Sequence, residues 1–258
     1  MMNLTISLPF WAQYSATGCF LLSSICYLSV KRKWASPLFL LLGFGLHSWF
    51  LWSVGNATGM FLPNTMVSLE AFLPWGFSAT VLLHLLLTHK KRTVNSAVIL
   101  ILVFAVAIAF QTRLLASKDA LIYPPGPIHP VGWVTSFFLI ESLAYVTFFL
   151  ACWYALLYAR GNEEAAFFHN YVIAAFVLFS VSQVVGAVWS YLGWAVPFHL
   201  SSDRHFISAA FWLFLALYLH LKFLPGWTMR KRAILVFTSS FAVFYFRYIP
   251  YFVDNIKG

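Results

Sequence analysis

Histidines and tryptophans, the side chains here that can ligate a metal or stack on a flat guest, crowd into one stretch of this chain. Gly186 to Trp194 reads Gly-Ala-Val-Trp-Ser-Tyr-Leu-Gly-Trp. A short polar break follows over Pro197-Phe198-His199-Leu200-Ser201-Ser202-Asp203-Arg204, and then an apolar run closing on Tyr218-Leu219-His220. An aromatic-rich tip between two hydrophobic runs, closed by a histidine, suits a flat, apolar guest that a nitrogen can ligate, such as haem. Further histidines fall inside or beside apolar runs: His47, His84 and His169, with His129, His199 and His205 elsewhere.

The elements that must carry these residues are set by composition. Hydrophobic residues make up 62% of 258 positions and charged ones only 9%, against roughly 25% charged in a soluble domain. The chain therefore reads as an integral membrane protein, cut into runs each about long enough to cross a ~30 Å hydrocarbon core. Eight spans are expected, at 10–30, 36–55, 67–88, 94–111, 132–159, 167–195, 205–224 and 233–253. The fold class is all-α, a polytopic bundle of about eight transmembrane helices forming one domain over 1–258, with a Trp-rich external loop at 189–204. Met1 to Pro9 has no basic segment, so no cleavable signal peptide is expected.

The net charge of +9 is distributed by topology. Lys31, Arg32 and Lys33, then Lys90, Lys91 and Arg92, then Arg160, then Lys222, Arg230, Lys231 and Arg232 hold most of the 16 basic residues, all in the odd-numbered connections. Even-numbered connections hold only Arg113, Lys118 and Arg204. The positive-inside rule then puts both termini and the Trp-rich tip on the non-cytoplasmic side. Basic residues placed this way anchor loops at a membrane and argue for no nucleic-acid partner.

Depth along the spans sorts the histidines. His47 lies about 17 Å along its helix from Ser36 at 1.5 Å per residue, and an ionisable group at that depth is functional or bonded to a neighbouring helix. His84, His169 and His220 come near the cytoplasmic face, and His129, His199 and His205 near the other. Two such layers either bind haem at two depths or snorkel at the interfaces, and spacing does not choose. His89 sits in the basic cluster, where a solvated role suffices. His129, in the stiff Tyr123-Pro124-Pro125-Gly126-Pro127-Ile128-His129-Pro130 segment, is a weaker ligand candidate.

Two charges sit deep in spans, Glu141 and Arg247. An isolated charge there costs several kcal/mol unless paired, so the two are expected to form a structural charge pair, the alternative for Arg247 being an acidic guest such as a propionate. Cys19, Cys26 and Cys152 show no C-x-x-C spacing and read as packing residues, with no disulfide framework, zinc site or covalent haem motif. No nucleophile, metal-hydrolase set or phosphate loop is visible.

On these residues the chain resembles the cytochrome c assembly protein family, the haem-handling membrane proteins of system II, and particularly its shorter HemX-like relatives. The family's Gly-Ala-x-Trp-x4-Trp stretch is matched by Gly186-Ala187-Val188-Trp189 and Trp194, and its later helix by Trp212 and Tyr218-Leu219-His220. The family's Trp-x-Trp-Asp falls on the Phe198 to Arg204 stretch, and its external histidine falls on Phe137, ahead of Tyr145. Its inner histidine corresponds to His220 and the HemX-like second-span histidine to His47.

The resemblance implies a haem-handling membrane protein binding haem b. His220 would be a ligand with His84, His169 or His47, the iron ligands being His220 and His84 first, and Trp189, Trp194 and Phe198 would form an outer platform. The alternative is a non-catalytic, cofactor-free structural or regulatory subunit that retains the fold. No activity is expected of the chain alone, beyond an accessory role in attaching haem to cytochrome c. Its expected partners are membrane lipid and a membrane protein of a cytochrome c assembly, respiratory or photosynthetic complex. Its expected place is a bacterial plasma membrane or a thylakoid.

Overall fold

In the computed structural model the residues described are 9–29, 35–58, 61, 66–87, 131–197 and 203–257. The expected span at 94–111, the 112–130 loop with His129, the basic runs Lys31–Lys33 and Lys90–Arg92, His89, and Phe198 with His199 lie outside them. The described secondary structure is entirely helical: α1 (Phe10–Leu28), α2 (Ser36–Thr58), α3 (Met66–Leu87), α4 (Val131–Ala159), α5 (Phe168–Trp194), α6 (Asp203–His220) and α7 (Met229–Lys257), with short 3-10 turns at Glu163–Phe167 and Leu221–Phe223. Among the described residues four helical segments, Ser36–Ala57, Gly132–Ala159, Glu163–Trp194 and His205–Phe223, are long and apolar enough to cross a membrane. The chain is thus a polytopic helical membrane protein. It falls into two compact units, Met1–Pro125 and Gly126–Gly258.

Unit 1 is built on an antiparallel α1–α2 pair. One buried stripe, Gln13, Ala16, Phe20 and Ser23 on α1, recurs at alternating three- and four-residue steps, as does a second on α2, Ser36, Leu40, Gly43, His47, Phe50 and Val54. That spacing is a coiled-coil-like seam. Small residues let the backbones close: a Cβ on Gly43 would stand 2.7 Å from the Phe20 ring and 3.2 Å from the Ala16 carbonyl oxygen. In a bilayer such close approach replaces the hydrophobic drive that lipid cannot supply. Ser23 Oγ donates to the Ser36 carbonyl at 2.8 Å, closing the seam at its other end.

Helix α3 returns along α2 and carries Pro74 in its interior. Proline removes a ladder hydrogen bond and crowds the carbonyl four residues back, so carbonyls in this turn need donors from a neighbour. The neighbour here is α2. His47 Nε2 lies 2.7 Å from the Ala71 carbonyl oxygen, and Trp75 Nε1 donates to Ser48 Oγ at 3.1 Å.

Unit 2 is a four-helix arrangement with α4 as its axis. Two thirds of the α4 span is buried (67%), against 22% for the segment containing α5 and 28% for α6, which is what an apolar sequence with no polar face produces. The α4 helix packs along α5 and α7, and α6 closes the ring between those two. Phe211 of α6 is the hub: its ring stacks on Tyr145 at 5.3 Å and meets Phe148 and Phe179 edge-on at 4.9 and 4.8 Å. Such pairs add about 0.5–1.5 kcal/mol each beyond area burial.

The α4–α5 turn ends α4 in a Schellman motif: Asn162 N–H bonds the Leu157 carbonyl at 3.1 Å and Gly161 N–H the Tyr158 carbonyl at 3.0 Å. Gly161 has φ +98°, a left-handed conformation that costs glycine nothing. This turn and the Leu221–Thr228 connection lie at the same end of unit 2, which also carries Arg160, Lys222, Arg230, Lys231 and Arg232. It is called the basic end below.

Candidate functional site

At the basic end of unit 2, α5 and α6 bring His169 and Tyr218 together, with His169 Nδ1 3.0 Å from the Tyr218 hydroxyl. Tyr218 is fully buried and His169 half-buried, and the charges of Arg232 and Lys222 act on this histidine from α7 and the 3-10 turn. His220, two residues beyond Tyr218, lies about 200° around the helix from it and is exposed. His169 and His220 therefore serve different faces of α6: one closes the α5–α6 contact and the other projects outward.

The His220 ring is held by its own helix. Nδ1 stands 2.7 Å from the Ala216 carbonyl oxygen. A carbonyl can only accept, so Nδ1 carries the proton and Nε2 presents its lone pair on the exposed side. That is the arrangement of most metal-ligating histidines, whose second nitrogen donates to a carbonyl that fixes tautomer and ring orientation. His220 is thus in the tautomer that leaves Nε2 able to ligate a metal. Among the described residues no three His, Cys, Asp or Glu side chains gather as a multidentate metal site.

The opposite end of unit 2 is aromatic. Phe137 and Phe138 of α4 pack on Trp189 of α5 at 5.7 and 6.1 Å, and Trp189 meets Trp194 edge-on at 5.4 Å. Gly186 makes the room, since a Cβ there would stand 2.7 Å from the Phe137 ring. Trp189 is accordingly half-buried in an aromatic cluster, whereas Trp194 is exposed. Ala195 ends α5 with φ 57°, and Ser190 Oγ donates back to the Val196 carbonyl at 2.6 Å. Trp212, the other tryptophan of the motif, donates from Nε1 to Ser180 Oγ at 2.9 Å and so ties α6 to α5.

Glu141 is fully buried on α4. Arg247 lies in α7, with its side chain outside the described residues. The two helices are registered by Cys152 Sγ, which donates to the Val236 carbonyl at 3.3 Å. Because the helices run antiparallel, stepping equally back along α4 and forward along α7 puts positions 141 and 247 at one level.

In unit 1, His47 is fully buried and bonded to Ala71, and His84 lies in α3, its side chain outside the described residues. Gln13, which the sequence does not mark out, is fully buried on α1. Among the described residues neither its Nε2 nor its Oε1 has a hydrogen-bond partner. A buried amide left so costs about 1–3 kcal/mol. The signal was present: a glutamine in register with Ala16 and Phe20 on one helical stripe.

Comparison with known proteins gives a partial likeness. Over 88 residues, 33% of this chain, it is 31% identical with the cytochrome c biogenesis protein CcsA of each of two strains of Prochlorococcus marinus. Over 94 residues, 36% of this chain, it is 31% identical with CcsA of Prochlorococcus marinus subsp. pastoris. The matched stretches cover 28 to 29% of those proteins, so the chain spans less than a third of the length of the curated relatives it matches. No family model matches, and no solved structure does. The apolar helices and this likeness make the chain a multi-pass integral membrane protein of a bacterial or thylakoid membrane, similar over part of its length to the cytochrome c biogenesis protein CcsA.

Proposed function

We propose that the chain is a haem-handling membrane protein of the cytochrome c biogenesis type, closest to its HemX-like members. The observation that carries this reading is the 31% identity with CcsA. It is supported by His220, whose Nδ1–H is engaged by the Ala216 carbonyl while Nε2 faces outward. Haem b would supply an iron able to take imidazole nitrogens as axial ligands. This chain's part is to present His220 in the ligating tautomer, with His84, His169 and His47 as the further candidates. Of these His169 is turned toward Tyr218 and His47 toward Ala71.

In this reading the chain is one domain of eight spans with both termini on the non-cytoplasmic side. Trp189, Trp194 and Phe198 edge an outer platform in the 189–204 region, and Glu141 pairs with Arg247. Its partner is a membrane protein of a cytochrome c assembly, respiratory or photosynthetic complex, and its contribution to haem attachment is accessory. Haem retained by the purified protein, read as a Soret band, tests the reading.

A second reading has a specific observation in its favour. Phe137, at the position of the family's external histidine, is packed against Gly186 and Trp189, so the aromatic end of unit 2 is filled by the protein's own rings. A non-catalytic, cofactor-free structural or regulatory subunit would keep the fold in this form.

The orientation has its own test. Cys19, Cys26 and Cys152 are buried and give little background, so Ser201→Cys should react with a membrane-impermeant maleimide from the non-cytoplasmic side of sealed vesicles or cells. Reaction from the cytoplasmic side alone would overturn the orientation.

A further inference from the structure

Helices α6 and α7 do not close on each other along their whole length. Between them, over α4, lies a cavity of about 350 Å³, more than twice the ~150 Å³ hollow that accepts benzene in a soluble core. Tyr145 of α4 lines it together with Ile207, Phe211 and Phe214 of α6 and Ser239 and Val243 of α7. The Ser239 hydroxyl is satisfied by its own helix, donating to the Val236 carbonyl at 2.6 Å. A guest therefore meets chiefly hydrocarbon and aromatic rings.

Helical phase ties this cavity to the basic end. On α7, Arg232, Val236, Ser239 and Val243 follow three- and four-residue steps and share a face, as do Ile207, Phe211, Phe214 and Tyr218 on α6. Arg232 and Tyr218 thus stand on the same two stripes as the lining, nearer the basic end. The Arg232 charge acts on Tyr218 and, with Lys222, on His169. From Arg232 to Ser239 and Val243 the helical rise gives about 10–16 Å.

The cationic end of this crevice is short of acceptors. Arg232 is half-buried. Among the described residues its Nη2 meets the Met229 sulfur at 3.2 Å, a weak acceptor, and its Nε has no hydrogen-bond partner. A guanidinium withdrawn from water in this way is stable opposite an anion. Both charges acting on His169 are positive, and Glu163 and Glu164, in the turn before α5, are exposed. In the neighbouring connection Phe223, Leu224 and Trp227 are exposed beside Lys222, Arg230 and Lys231, the mixture of rings and cations that suits a lipid headgroup layer.

We propose that one anionic phospholipid occupies the α6–α7 crevice, its phosphate against Arg232 and Lys222 and one acyl chain in the cavity over Tyr145. The phosphate supplies the acceptors that the guanidinium lacks. The spacing from Arg232 to the cavity matches the ~15 Å half-thickness of a hydrocarbon core, so a chain running inward from that phosphate reaches the lining. The lipid then forms part of the α6–α7 interface. The site lies on the Tyr218 face of α6, away from His220, and does not depend on haem.

The test is native mass spectrometry of the full chain in mild detergent with added phosphatidylglycerol, phosphatidylcholine or inorganic phosphate. Phosphatidylglycerol is expected to bind in preference to phosphatidylcholine. Arg232→Gln should lower its occupancy about fivefold, the effect of one basic residue at an anionic lipid surface, and Arg232→Lys should recover most of the loss. Lys222→Gln, at an exposed position, takes the place of Arg232→Gln if that variant fails to fold. Ala210→Trp fills the cavity from α6 and should also lower occupancy. Equal binding of the two lipids, or occupancy unchanged by loss of the cation, overturns the headgroup assignment. Displacement of the lipid by millimolar inorganic phosphate shows a free-phosphate site instead, and undiminished binding in Ala210→Trp overturns the place given to the acyl chain.

Discussion

Replacing His220 by alanine is expected to lower the haem retained by the purified protein by roughly tenfold or more, the scale on which loss of even a supporting partner weakens a metal site. A porphyrin already in lipid gains little from burying its rim in protein, because apolar area stabilises only where it leaves water, so ligation must supply much of the affinity. Ala216→Pro would be a poor probe, since it breaks the helix along with the Nδ1 hydrogen bond. Phe137→Ala is the informative control. Phe137 fills space against Gly186 and Trp189 at the far end of unit 2, so its removal should leave haem content nearly intact. The check is the Soret absorbance per protein of both variants beside the wild type.

The second large effect is expected at positions 141 and 247. Glu141 is fully buried in the most buried helix, and the Cys152–Val236 contact sets the register that brings position 247 of α7 to its level. Breaking a buried ion pair by removing one partner costs about 3–5 kcal/mol, because the remaining charge is left uncompensated, whereas removing both is much cheaper. Glu141→Leu and Arg247→Leu should therefore each lower stability in mixed micelles by that order, and the double variant should recover a large part of the loss. Single losses that simply add would show that the two side chains do not meet.

How much of this was legible in the sequence differs between the spans and the site. Apolar runs and helix-breaking loops placed α4 at 132–159 and α5 at 167–195, within a residue of Val131–Ala159 and Phe168–Trp194, because hydrocarbon length dictates both. The last helix extends further than the run at 233–253: α7 begins at Met229 and continues to Lys257, since a basic first turn and a polar last turn are compatible with helix outside the core. Which face a histidine occupies was not legible. Depth put His169 and His220 in one layer, but helical phase turns His169 to Tyr218 and His220 to the exterior. The Gly186 match read as part of a motif; its physical role, admitting the Phe137 ring, depends on an α4–α5 contact between residues 49 positions apart. Gln13 was hidden for a related reason, since an uncharged residue in the first span carries no warning until the α1–α2 seam shows that it is fully buried.

Haem handling by this chain is decided by the absorption spectrum of the wild-type protein, purified in mild detergent after haem supplementation of the expressing cells. Haem handling requires a Soret band that shifts on reduction and withstands repeated washing. A folded, helical protein with no Soret band under those conditions would contradict it and leave the cofactor-free subunit as the reading that stands.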